Sequence, residues 1–300
     1  MKVLISDPIA PAGVAKLRDA GFEVVEKPGL SPEQLKNEIK DYDAIIVRSA
    51  TKVKKDIIEA GTNLKVIGRA GVGLDNVDKD AAKERGIKVV NTPEATSISV
   101  AELALGLMLA AARHIGQGTV SLKEGRWDKK KFEGVELYGK TLGIIGIGRI
   151  GSELGKRAEA MGMKVLFYDP YVPETHFGKS KDLSELLPEV DFLSLHIPHT
   201  EETHYLIGRE EFAKMKDGAI LVNAARGGVV DEEALYEALT SGKLRAAGID
   251  VFETEPAVGH KLFTLENVVV TPHVGAQAEE GQVRAGVQIA DRVIQALKAK

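Results

Sequence analysis

Cysteine is absent from the 300-residue chain. That excludes disulfides, thiolate metal sites and cysteine nucleophiles together, and it is compatible with a reducing cytosol. Long hydrophobic runs are also lacking: the longest, Leu103 to Ala112, is about half of the ~20 residues that a membrane span requires. The stretch from Met1 to Asp7 places an acid after a very short apolar run, so it lacks the hydrophobic region of a signal peptide. The expectation is a cytoplasmic protein with no membrane partner.

Excess positive charge is missing too. The net charge is -4 and the isoelectric point is near 6.0, so no global field would hold nucleic acid, and the one dense basic cluster, Lys129 to Lys131, reads as a solvated face. His199 and His204 have no third ligand at zinc spacing, and no metal is expected. Neither a solenoid-period repeat nor a low-complexity tract occurs.

What remains is an ordinary globular composition, 44% hydrophobic and 28% charged, at a length that suits two domains. From Lys2 to Pro93, short apolar runs alternate with amphipathic segments such as Pro32 to Ile39 and Asp56 to Ala60. The runs are Val3 to Ile5, Val24 to Val25, Ala44 to Val47, Val66 to Ile67 and Val89 to Val90. Runs this continuous suit parallel strands covered on both faces, which predicts a flavodoxin-like α/β domain.

One long helix, Ser99 to about Gly116, is expected to bridge to the second domain, with Leu103, Leu107 and Ala110 at helical spacing. Six further strands follow, at Thr141 to Ile145, Lys164 to Tyr168, Asp191 to His196, Ala219 to Asn223, Ala247 to Asp250 and Val268 to Thr271. With helices between them they predict a doubly wound parallel Rossmann domain. The last segment, Gln277 to Lys300, reads as a helix returning to the first domain. The expected division is 1-97 with 277-300 for a substrate-binding domain and 98-276 for the dinucleotide-binding domain.

The strongest local signal is Gly146-Ile147-Gly148-Arg149-Ile150-Gly151, set between an apolar strand and a helix that runs through Met161. Glycines at these three places permit a tight turn, close backbone approach to a pyrophosphate, and helix-on-strand packing. The helix N-terminus then offers free N-H groups and a dipole to the phosphates. Asp169 follows Gly151 by 18 positions at the end of the next strand, where an acid binds the ribose hydroxyls. An acid there repels a 2'-phosphate and selects NAD.

Three other strand ends carry chemistry: 223-228 with Arg226, 250-256 with Glu255, and 271-276 with His273. In a parallel sheet such ends share one edge. A histidine can exchange a proton with a carbonyl oxygen, a carboxylate beside it favours its protonated form, and an arginine can grip a substrate carboxylate through two N-H donors.

With these residues in view, the chain resembles the D-isomer-specific 2-hydroxyacid dehydrogenases along essentially its whole length. The matching segments are 47-52, 68-77, 125-132, 146-151, 225-231 and 272-273. The resemblance implies hydride transfer between NAD and a small anionic 2-keto or 2-hydroxy acid, with Arg226, Glu255 and His273 as the catalytic set. It implies NAD contacts at Val72, Ile197, Pro198, Ala224, Ala225, Asp250, Gly275 and Ala276, besides the glycine loop.

It further assigns substrate to Arg48, Ser49 and the loop Ala70, Gly71, Val72 and Gly73. The segments are most similar to phosphoglycerate-oxidising members, which makes Arg48 a candidate for a substrate phosphate across a closing cleft. A reductase of unphosphorylated hydroxypyruvate or glyoxylate, and an NADH-responsive binding protein, are the alternatives. The resemblance also implies a homodimer paired through Ser99 to Gly116. Gln277-Ala278 stands where many relatives carry Ser-Thr. The chain stops at Lys300 without the regulatory domain of longer relatives, so no serine feedback is expected.

Overall fold

The computed structural model describes residues 1-299; Lys300, the end of the expected last helix, lies outside the described residues. The chain divides into two compact units, one of Met1-Ser97 with the chain from Ala276 onward, the other of Ile98-Gly275.

The first unit alternates β1 (Lys2-Ile5), α1 (Pro11-Asp19), β2 (Glu23-Glu26), α2 (Pro32-Glu38), β3 (Ala44-Val47), α3 (Lys55-Ala60), β4 (Val66-Arg69), α4 (Lys79-Glu84) and β5 (Lys88-Asn91). Every pairing is parallel, in the order β2-β1-β3-β4-β5, which is the flavodoxin-like order. Side chains alternate across the pleat. Val3, Ile5, Ala44 and Ile46 therefore feed one core, while Leu4, Ile45 and Val47 feed another beneath α2 and α3.

The second unit opens with α5 (Ser97-Arg113) and α6 (Ile115-Lys123). A single helix to Gly116 was expected. The helix instead stops at Arg113, because His114 adopts φ 54°, a left-handed conformation that histidine tolerates better than most residues. The chain bends by 64° there and resumes as α6. Among the described residues no single helix is long and apolar enough to cross a membrane.

There follow β6 (Thr141-Ile145), α7 (Arg149-Ala160), β7 (Lys164-Tyr168), a short antiparallel pair β8 (Glu174-Thr175) and β9 (Gly178-Lys179), and α8 (Leu183-Leu186). Then come β10 (Phe192-Leu195), α9 (Arg209-Lys214), β11 (Ala219-Asn223), α10 (Glu232-Thr240), β12 (Leu244-Ile249) and β13 (Val268-Val270). The large sheet is all parallel, in the order β13-β12-β11-β10-β6-β7. β12 starts three residues earlier than the apolar run beginning at Ala247, because exposed Arg245 interrupts the pattern of an otherwise buried strand. The direction of winding reverses between β6 and β10, so the crevice at their carboxyl ends is the usual ligand position of such sheets.

The last helix, α11 (Glu279-Lys298), belongs to the first unit. Its buried stripe includes Ala285, Ile289, Ala290 and Val293. A methyl group added to Gly13 of α1 would lie 2.3 Å from the Gly286 carbonyl oxygen of α11, and one added to Gly68 of β4 would lie 2.7 Å from Val293. Close packing on α1 and β4 thus holds α11 on this sheet, and each fully buried Ile or Val contributes about 1.5-3 kcal/mol.

Candidate active site

In the second unit the turn after β6 is built from three glycines with three different jobs. Gly146 has φ +89°, and a methyl group there would sit 2.6 Å from Ile197. A methyl group on Gly151 would sit 2.2 Å from the Gly146 carbonyl oxygen. Both are therefore demanded by the protein's own packing. Gly148 is not, since nothing lies within 4 Å of the same addition.

Gly148 is also the N-cap of α7 and supplies no side-chain cap. That leaves the helix's first N-H groups for another acceptor, and a pyrophosphate fits the open space at this positive helix end. Arg149 is exposed beside it, and Ile150 is half-buried. Asp169, just past β7, accepts from Ile147 N at 3.0 Å and from Tyr171 N at 2.9 Å. Its carboxylate thus ties the glycine turn to the end of β7. A carboxylate has about four lone-pair sites, so capacity remains for ribose hydroxyls. Ile197 and Pro198 follow β10 at the same sheet edge.

His196, the first residue past β10, has its Nε2 2.9 Å from the Ser194 hydroxyl, while its Nδ1 is buried without a partner. Burial pushes its pKa down to about 4, because a desolvated imidazole resists charging. It is a half-buried group, neutral at working pH.

At the end of β11, Asn223 folds the next loop back on itself. Its Oδ1 accepts from Ala225 N at 3.0 Å and its Nδ2 donates to the Arg226 carbonyl at 3.0 Å. Ala224 and Ala225 are buried, whereas Arg226 is half-buried and donates from Nη1 to the Ala225 carbonyl at 2.7 Å. Gly227 lies directly on the neighbouring loop: a methyl group there would be 1.9 Å from the Phe252 carbonyl oxygen. The arginine loop and the loop carrying Glu255 therefore pack backbone to backbone.

Asp250 is 1% exposed and organises the turn after β13. Its carboxylate accepts from the Thr271 hydroxyl (2.6 Å), Val274 N (2.8 Å) and Gly275 N (2.9 Å). Its carbonyl accepts from His273 N at 2.8 Å. These bonds over-determine a turn in which His273 adopts φ 52°, and strained residues persist where their surroundings fix them this way. His273 Nδ1 meets Glu255 Oε2 at 2.8 Å, with the side chains 48% and 37% exposed. Glu255 Oε1 in turn accepts from Phe252 N at 3.1 Å. Because a carboxylate oxygen accepts, Nδ1 carries the hydrogen and Nε2 faces outward chemistry.

Two other groups join this edge without a signal in the one-dimensional pattern. Tyr205 donates its hydroxyl to Glu253 at 3.1 Å, and buried Glu232 pairs with His260 at 2.8 Å. Burial first, then the charge of Glu253, raises the Glu232 pKa, against the hydrogen bond from Glu253 N and the pull of His260. These partners stand 28 and 48 positions apart in the sequence, and only the fold joins them.

In the first unit, the loop after β3 is pinned by Asp7, which accepts from Arg48 N (2.6 Å), Thr51 N (3.0 Å) and the Thr51 hydroxyl (2.7 Å). Asn76 donates to the Arg48 carbonyl at 2.8 Å from the other side. Ser49 is exposed on this loop. The Arg48 guanidinium reaches Gln277 Oε1 at 3.1 Å. In the adjacent loop Ala70 and Gly71 are buried, Val72 and Gly73 are half-buried, and the Arg69 guanidinium lies over Gly71. Arg69 is a second cation at this edge, and its place at the end of β4, paired with Val47 of β3, was the signal for it. Ala276 begins the return of the chain to this unit.

Residues 105-275 match the family model described as D-isomer specific 2-hydroxyacid dehydrogenase, NAD binding domain. Over 306 residues the chain is 53% identical to a D-3-phosphoglycerate dehydrogenase of Methanocaldococcus jannaschii, covering 100% of this chain and 58% of that one. It is 54% identical to a hydroxypyruvate reductase of Thermotoga maritima, over 99% of this chain and 98% of the relative. Among solved structures, the TT0316 protein of Thermus thermophilus superposes with a TM-score of 0.93 at 38% identity, covering 100% and 98% of the two chains. D-lactate dehydrogenase of Aquifex aeolicus complexed with NAD and lactic acid gives 0.85 at 31% identity, covering 100% and 96%. The chain belongs to the D-isomer-specific 2-hydroxyacid dehydrogenase family, and its second unit is that family's NAD-binding domain.

Proposed function

We propose that the protein oxidises D-3-phosphoglycerate to 3-phosphohydroxypyruvate with NAD, the entry step of serine synthesis, and catalyses the reverse reduction. The observation that carries the reading is the 2.8 Å pairing of His273 with Glu255 at the carboxyl edge of a sheet with an open glycine turn. Hydride exchange with the reacting carbon is the chemistry that bound NAD supplies. His273 gives a proton from Nε2 to the carbonyl oxygen in reduction and removes it from the hydroxyl in oxidation. Glu255 fixes the ring orientation and tautomer through Nδ1. Arg226 holds the substrate carboxylate by paired N-H donors and polarises the carbonyl. Arg48 is the proposed phosphate ligand, with Ser49 and the 70-73 loop beside it.

A second reading, reduction of unphosphorylated hydroxypyruvate, is favoured by the 54% identity to the Thermotoga reductase over nearly its full length. An absorbance assay of NADH loss with phosphohydroxypyruvate, hydroxypyruvate, glyoxylate and pyruvate separates the two. The phosphate reading requires the highest kcat/KM for phosphohydroxypyruvate. Preference for hydroxypyruvate would transfer the assignment, and NADH binding without any turnover would make the protein a cofactor sensor.

We propose a homodimer as the working form. Ile115, Val120, Leu122 and Trp127 are exposed, Trp127 by 81%, and apolar side chains grouped in one stretch of surface chain fit a second copy. A concentration-independent monomer mass by light scattering would refute this.

A further inference from the structure

Tyr205 touches both loops that present the proposed catalytic groups. Its backbone N donates to the Gly228 carbonyl at 2.8 Å, two residues beyond Arg226. Its hydroxyl donates to Glu253 Oε2 at 3.1 Å, two residues before Glu255. Tyr205 holds φ 50°, a left-handed conformation that a non-glycine residue keeps only where its surroundings impose it.

Glu253 is in turn closed into a ring with the first turn of α10. Its Oε1 accepts from Glu232 N at 3.3 Å, and its own N donates to Glu232 Oε1 at 2.8 Å. The other Glu232 oxygen meets His260 Nε2 at 2.8 Å. His260 Nδ1 accepts from Leu262 N at 3.3 Å, so the hydrogen lies on Nε2 and points at Glu232. The rings of Phe252, His260 and Phe263 pack together with centroids 5.4-5.6 Å apart. Residues 252-260 are thus gripped on both sides of Glu255, and the grip extends through Tyr205 to the loop of Arg226.

We infer that Tyr205 and Glu253 are positioning residues for the His273-Glu255 pair, holding the Arg226 and Glu255 loops in one fixed register. The inference rests on the proposed dehydrogenase reading. Neither residue needs to touch the substrate. Their effect is exerted through the place of Glu255, and displacement of a catalytic group by a fraction of an ångström is costly. Nothing in the sequence singles out Tyr205, which stands 48 positions from its acceptor.

The test is steady-state kinetics of Tyr205→Phe and Glu253→Gln with NADH and whichever keto acid the wild type reduces best. Tyr205→Phe removes one hydroxyl from a side chain that is 40% exposed, so the fold survives. It is expected to lower kcat about tenfold, with the NADH dissociation constant and the melting midpoint unchanged. In a Glu255→Gln background the same change should cost less than about twofold, because the group it positions is already disabled. A wild-type kcat in Tyr205→Phe overturns the inference. So does an undiminished tenfold loss in the Glu255→Gln background, or a fall in melting midpoint that accounts for the lost activity. Wild-type protein that reduces none of the acids would overturn the proposed function as well, which an active wild type with an indifferent Tyr205→Phe would leave standing.

Discussion

The two units are built from the same kind of parallel sheet, yet they offer different chemistry at its carboxyl edge. All seven histidines of the chain, from His114 to His273, lie in the second unit, and the first has none. The first unit presents guanidinium groups, Arg48 on a loop pinned by Asp7 and Asn76 and Arg69 at the end of β4. The second presents an open helix N-terminus and a histidine-carboxylate pair. One edge offers cations and no histidine, while the other offers a helix N-terminus together with a histidine held by a carboxylate. The fold is shared, and the chemistry is set by which side chains terminate the strands.

The sharpest way to break this division is to remove the proposed proton carrier. His273→Ala is expected to lower kcat about 10³-fold, the range of a lost general acid-base group, with NADH binding by fluorescence titration within about twofold. A variant that keeps a tenth of wild-type kcat would mean that the proton travels by another route.

The division also predicts where acid acts first. His196 is half-buried in the second unit, and desolvation of its ring pushes its pKa down to about 4, whereas an unfolded histidine titrates near 6.5. The unfolded chain therefore binds the extra proton between these values. The stability that His196 contributes is complete above about pH 6.5 and is lost as pH falls toward 4, by up to about 3 kcal/mol. Denaturant titrations at pH 7 and pH 4.5, followed by Trp127 fluorescence, should show this loss. His196→Gln should flatten it, and an equally steep pH dependence in that variant would remove the explanation.

Much of the fold could be read from the chain because both sheets are parallel and buried on both faces, so strands such as Ala44-Val47 and Ala219-Asn223 appear as unbroken apolar runs. Edge and interrupted elements were harder. The β8-β9 pair is only two residues per strand, too short to generate a period, and His114 ends α5 by a backbone conformation that hydropathy does not encode. At the candidate site, Gly146-Gly151 was legible because it is contiguous, and Arg226, Glu255 and His273 because each follows a strand. The supports were not. Tyr205, Glu232, Glu253 and His260 are ordinary surface-type residues until the fold joins them.

The first unit's anion role is tested by Arg48→Ala. If Arg48 binds the substrate phosphate, KM for phosphohydroxypyruvate should rise about 30-fold, the loss of a charge-assisted contact of about 2 kcal/mol. KM for hydroxypyruvate should change less than about threefold. Equal losses for both acids would assign Arg48 to the fold of its loop instead.

The smallest effect separates two glycines that look alike in sequence. Gly148 has an ordinary φ of -61° and nothing within 4 Å of an added methyl group, so the protein alone has no need of glycine there. Gly151 would place the same methyl 2.2 Å from a backbone oxygen. Gly148→Ala should therefore leave the melting midpoint where it is and weaken NADH binding about tenfold, because the methyl occupies the approach of the pyrophosphate. Gly151→Ala should lower stability by about 1-3 kcal/mol through overpacking. Calorimetry with NADH titration on both variants decides. If Gly148→Ala binds NADH as well as the wild type does, the open space beside α7 is not where the phosphates sit, and the assignment of this edge to the cofactor fails at its central point.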